Sequence, residues 1–220
     1  MKDDPRQIRA MYERMDDHFG DLGWWPAETS FEVMVGAVLT QNTSWRNVER
    51  AISRLKKEKL MDPMAVLNVD RRKLEKAIQC SGFFRVKAER LKSLCAFLRE
   101  ECGGDIGKLR RKPLKGLREK LLAIKGIGPE TADSILLYAL NKPIFVVDAY
   151  TRRIFTRHGI VDERDTYDTI QVVVMRALEG RVRRFNQYHA LIVETAKIFC
   201  RTNPRCDGCP LGHGRGGKRS

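Results

Sequence analysis

No stretch of this chain is long and apolar enough to cross a membrane. The longest candidate, Phe31 to Leu39, is interrupted by Glu32 and falls well short of the ~20 residues a spanning helix requires. The opening residues, MKDDPRQIRAMYERMDD, lack the apolar segment of a secretory signal, so a cytoplasmic location is expected. Acidic residues are also short: 28 Asp and Glu stand against 42 Lys and Arg in 220 residues, a net charge of +14. That excess points toward a polyanion such as nucleic acid, with a merely solvated basic surface as the plainer account. Strand signals are nearly missing. The one strand-like run, Pro143–Val147, reads better as an extended connector, and there is no internal repeat. No heptad stripe calls for a partner chain, so a monomer is expected. The six cysteines, in a reducing compartment, are expected as ligands or buried thiols rather than disulfides.

What the chain does have is helical periodicity. Asp4-Pro5 opens a helix to about Phe19, and Thr29 with Glu32 forms a capping box before a buried apolar run. Ser44, Asp62 and Asp70 stand as further N-caps. A stripe at Leu91, Leu94, Cys95 and Leu98 ends at Gly103-Gly104. Three more helices follow over 149–158, 166–178 and 185–199, and the tail GHGRGGKRS has a disordered composition. The fold class is all-α.

Within LLAIKGIGPETADSILLYAL, two helices flank a tight turn. Gly126 and Gly128, on either side of Ile127, let the backbone reach positive φ and approach another object closely. Pro129 suits a first helical turn, and the turn's amides with the helix dipole suit a phosphate. A glycine-capped helical hairpin with no ligand is the alternative. Asp148 stands where an N-cap of the helix beginning at Ala149 would stand.

Three motifs occur in order: KGIGPETA at 125–132, PIFVVDAYTRRI at 143–154, and an FC…C..CPL segment closing at Leu211. Together they resemble the helix-hairpin-helix DNA glycosylases of the endonuclease III superfamily, over roughly Phe31 to Leu211. The resemblance implies two helical domains with the active site in a cleft between them. One is a six-helix domain over 27–142 that carries the hairpin. The other is a discontinuous domain of 1–26 with 143–220. It places the family's catalytic aspartate on Asp148, beside a sugar that becomes oxocarbenium-like as the base leaves. Strand-cutting members carry a lysine eighteen residues before that aspartate, where this chain has Glu130. A carboxylate cannot form the Schiff base such cutting requires, so monofunctional hydrolysis is expected. Glu130 itself is expected only to favour the helix dipole.

The pairing of WWP at 24–26 with LTQNTSW at 39–45 is most similar to the 3-methyladenine glycosylase branch. On that resemblance Trp24, Trp25, Pro26 and Trp45 line the base pocket, and the substrate is an alkylated purine in double-stranded DNA. An N3-methylated adenine is cationic, and cation–π attraction over an indole contributes ~0.5–2 kcal/mol. Gln41 matches the residue that fills the hole left by the flipped nucleotide, with Asn42 as the alternative register; either amide could instead cap the next helix. The rival functions are release of another damaged or mismatched base, a non-catalytic DNA-binding protein, and, last, a bifunctional lyase.

Cys200-x5-Cys206-x2-Cys209 resembles the segment that holds a 4Fe–4S cluster, but the fourth cysteine is missing. His213 is a candidate fourth ligand. Three cysteines and one histidine would also suit zinc, and loss of the group is a third possibility. Cys80, Cys95 and Cys102 read as ordinary thiols.

Overall fold

The computed structural model describes residues 4–23, 25 and 27–212. The fold is all-α, and no strand occurs among the described residues. No helix among them is long and apolar enough to cross a membrane. The chain divides into two compact units, 27–142 and 1–26 with 143–220.

Unit 27–142 is built around α2 (Ser30–Leu39), which is buried on every side from Phe31 onward. Thr29 Oγ1 accepts from Glu32 N at 3.1 Å, and Glu32 Oε2 accepts from Glu28 N at 3.3 Å. The capping box therefore forms, but its return arm reaches one residue beyond the N-cap. Buried Glu32 is neutralised by Lys56 at 3.0 Å, on α3 (Trp45–Lys57). Ser44 occupies the N-cap of α3 without a side-chain capping bond. As expected, Asp62 and Asp70 each cap a short helix, α4 (Pro63–Asn68) and α5 (Arg71–Ile78). Both pack on α6 (Phe84–Cys102). Gly103 and Gly104, at φ 64° and 86°, close α6 by donating to Arg99 O and Leu98 O. After α7 (Leu114–Leu122) and α8 (Pro129–Ser134), the backbone widens into one π-helical turn over Ile135–Ala139.

Unit 1–26 with 143–220 packs α1 (Pro5–Phe19) against α10 (Tyr167–Ala177) and α11 (Val182–Ile198), and α11 against α9 (Ala149–Arg157). Its core is aromatic. Phe145 meets Phe185 and Tyr188 at centroid distances of 6.0 and 5.9 Å, and Tyr188 also meets Phe155 at 6.2 Å. Residues 143–147 are an extended connector, as expected. It is held from α10: Gln171 Nε2 donates to Phe145 O at 2.6 Å, and Val147 N donates to Tyr167 Oη at 3.3 Å. This fixes the backbone immediately before Asp148.

Candidate active site and hairpin

Asp148 is the N-cap of α9. Its Oδ1 accepts from Thr151 N at 2.7 Å and from Thr151 Oγ1 at 2.8 Å. Its Oδ2 faces His189 Nε2 of α11 at 3.4 Å, and both side chains are largely buried. Burial pushes the carboxyl pKa up, but the His189 charge and the Thr151 donors outweigh it and leave the value below the ordinary one. The aspartate is thus capped, oriented and held ionised at once. Sequence reasoning found Asp148 but not His189, because a histidine forty-one residues away on another helix carries no local signal.

In the hairpin, Gly126 takes φ 86° and its neighbour Ile127 is buried as the anchor of the turn. Gly128 does not need positive φ: at φ −89° it is the ordinary N-cap of α8. The reason for a glycine at 126 is twofold, since a Cβ there would also overlap Arg90, with Cγ at 2.8 Å and Cδ at 2.9 Å. Glu130 sits exposed in the first turn of α8, and Lys125 pairs with Glu89 at 3.3 Å on the surface.

Gln41 is drawn onto this hairpin. Its Nε2 donates to Thr131 Oγ1 at 2.9 Å and to Gly126 O at 3.2 Å, and Arg90 donates to its Oε1. Asn42, at φ 53°, is exposed. Neither amide caps α3. Buried Lys87 sets where the loop starts, because its Nζ donates to Leu39 O at 2.8 Å and to Ser81 O at 2.7 Å. From the second carbonyl the chain runs to Phe83, which is 68% exposed at φ 44°. A bulky residue in that conformation is unusual, and sequence patterning gave no notice of it.

Trp25 and Trp45 are both half-buried, and Trp45 is the first residue of α3. Trp24, Pro26 and His213 lie outside the described residues. Cys200, Cys206 and Cys209 line one cavity of about 210 Å³ together with Arg157 and His158. Arg157 Nη1 donates to Cys200 Sγ at 3.2 Å. Burial and the Arg157 charge lower the His158 pKa, which favours a neutral imidazole. Among the described residues, no three His, Cys, Asp or Glu converge closely enough to hold a single metal ion. Cys95 and Cys102 are buried free thiols and Cys80 a half-buried one, and burial pushes Cys95 up to about 12.

Residues 35–179 match the model of the HhH-GPD superfamily base excision DNA repair proteins. The chain belongs to that family. This HhH-GPD protein is 48% identical over 206 residues to a Methanocaldococcus jannaschii protein with the provisional name DNA repair glycosylase, covering 93% of each chain. It is 29% identical to endonuclease III of Thermotoga maritima, covering 82% of this chain and 80% of the relative. Among solved structures, H. pylori 3-methyladenine DNA glycosylase bound to 1,N6-ethenoadenine superposes with a TM-score of 0.77 at 26% identity. That match covers 90% of this chain and 98% of the other. A trapped endonuclease III–DNA covalent intermediate gives 0.81 at 25% identity, covering 94% and 93%. The protein is a base excision repair DNA glycosylase of the HhH-GPD superfamily.

Proposed function

We propose that this HhH-GPD protein is a monofunctional glycosylase that hydrolyses the N-glycosidic bond of alkylated purines in duplex DNA. The observation that carries the chemistry is Asp148, a buried ionised carboxylate fixed by Thr151, in a chain whose hairpin offers Glu130 where a Schiff base would need an amine. The bond from C1′ to the base breaks with its electron pair leaving on the base. Asp148 stabilises the positive charge that develops on the sugar. Water adds to C1′, and its proton passes to Asp148 or to solvent.

The substrate class rests on the tryptophans and on the likeness to a 3-methyladenine glycosylase. Trp24, Trp25, Pro26 and Trp45 are the residues assigned to stacking on the flipped base, where indole faces favour a cationic ring. Such a base departs as a neutral molecule and needs no strong general acid. Gly126, Ile127 and Gly128 present the hairpin to backbone phosphates. Asn42 is assigned to the space left in the stack, with Gln41 holding its loop on the hairpin. Cys200, Cys206 and Cys209 would hold a 4Fe–4S cluster. When bound, the cluster would order the C-terminal segment, and it enters no chemical step.

The test is release of labelled bases from methylated duplex, with Asp148→Asn as control and borohydride trapping alongside. Release of 3-methyladenine, loss of release in the variant, and no trapped adduct support the reading. Release of only an oxidised, deaminated or mismatched base would replace the substrate and keep the chemistry. A trapped adduct with strand cutting would overturn the monofunctional assignment. Binding without release of any base would leave a non-catalytic DNA-binding protein.

A further inference from the structure

His189 is a buried ionisable group that the mechanism above leaves unassigned. It sits on α11, and its Nε2 lies 3.4 Å from Asp148 Oδ2. The two oxygens of Asp148 are held differently. Oδ1 is committed to Thr151 through two short bonds that any N-cap aspartate could make. Oδ2 faces an imidazole at ion-pair rather than close hydrogen-bond distance. Phe145 meets the imidazole nearly edge-on, at 6.1 Å and 80°. Ionisable groups also stand on the two helices packed against α11. On α1, Asp16 accepts from Gln187 at 2.7 Å and the Tyr12 ring lies against Tyr188. On α9, Arg153 donates to Ala196 O at 3.4 Å, and Asp148 at its start faces His189.

A carboxylate taken out of water tends to keep its proton, and a protonated Asp148 cannot stabilise a sugar cation. Resting on the reading of Asp148 as the carboxylate at the reaction centre, we propose that His189 is its positioning residue. Its Nε2 holds Oδ2 in place and favours the ionised form of the buried carboxylate. The direction of the Asp148 pKa agrees, since His189 is the strongest influence drawing it down. Base release then requires ionised Asp148 and fails as pH falls through that group's apparent pKa. Removing His189 raises the apparent pKa and moves the acid limb to higher pH.

The experiment is single-turnover base release from methylated duplex across pH, for the intact protein, His189→Ala and His189→Gln. DNA affinity and thermal unfolding are measured alongside. His189→Ala is expected to lose about tenfold or more in rate at neutral pH with DNA affinity unchanged. Its acid limb is expected to move up by about one pH unit. His189→Gln, which supplies an amide donor without charge, should recover part of the rate while its acid limb stays displaced. An acid limb that coincides with that of the intact protein in both variants overturns the proposal, because lost packing alone would lower the rate equally at every pH.

A substrate-free measurement separates this from the proposed function. Carboxyl 13C NMR reads the Asp148 titration directly, and His189→Ala should raise its midpoint, since His189 is the strongest influence drawing it down. An unchanged midpoint overturns the pairing whatever the protein cleaves. If the intact protein releases no base, the proposed function fails and the NMR titration alone decides the pair.

Discussion

Arg118 grips Asp133 through two parallel bonds, Nε to Oδ1 at 2.8 Å and Nη2 to Oδ2 at 3.1 Å. Arg118 lies on α7 and Asp133 on α8, so the pair ties together the two helices that flank the hairpin turn. Asp133 is fully buried and Arg118 half-buried. Such a fork fixes geometry more than it adds net stability, but removing one partner strands the other charge. Arg118→Ala is expected to destabilise the protein by about 3–5 kcal/mol in denaturant unfolding. Replacing both residues with apolar ones of similar volume should cost much less, and an additive double-mutant cycle would refute the coupling.

Lys87 is almost wholly buried, and burial lowers its pKa to about 8. The unfolded chain keeps the ordinary value near 10.5, so between these values the unfolded state binds more protons than the folded state. Stability contributed through Lys87 therefore rises as pH climbs from about 8 toward 10.5. The difference in unfolding free energy between the intact protein and Lys87→Met should grow in favour of the intact protein across that window. A pH-independent difference would show that the amine is not desolvated. Because Lys87 bridges Leu39 O and Ser81 O, the same variant should loosen both the Gln41 loop and the Phe83 tip, read as faster amide exchange in 40–44 and 81–84.

The helical register was legible because it is written in local chemistry. Asp4, Asp62, Asp70, Asp148 and Thr166 all accept from first-turn amides, and apolar spacing marks the buried faces between them. The base excision family was legible through the motifs around Gly126, Asp148 and Cys200. What the sequence could not supply were contacts between distant residues. His189 reaches Asp148 from another helix, and Gln41, itself held by Arg90, bonds Gly126 across eighty-five residues. Gly128 was misread for a related reason: glycine is compatible with every φ, and only the built turn shows which glycine uses the freedom.

Gln41 and Asn42 make separable predictions. Gln41 is bonded to Gly126 and Thr131 and thereby fixes the loop on the hairpin, whereas Asn42 points outward from a left-handed backbone. Asn42→Gly keeps that backbone comfortable and removes only the side chain. It should slow base release from duplex lesions several-fold and leave release from single-stranded substrate unchanged. Gln41→Ala should weaken binding to damaged and undamaged duplex alike, because hairpin presentation suffers. Equal losses on single and double strands in Asn42→Gly would remove that side chain from the stack.

The cavity ringed by Cys200, Cys206 and Cys209 yields the last prediction. Its wall also carries Arg157, whose guanidinium already donates to Cys200 Sγ, and His158, whose lowered pKa favours the neutral form that ligates metals. Three thiols and a neutral imidazole on one wall offer soft donors to an inorganic cluster. Protein purified without oxygen is expected to contain about four iron atoms and matching acid-labile sulfide per chain. Cys206→Ser should lose most of the iron and lower the thermal midpoint while Asp148-dependent base release survives at low temperature. Stoichiometric zinc without sulfide would replace the cluster with a single ion, whose ligands would then have to include residues beyond Gly212. Metal-free protein with an unchanged thermal midpoint in Cys206→Ser would mean that the three thiols are the remnant of a site this chain no longer uses.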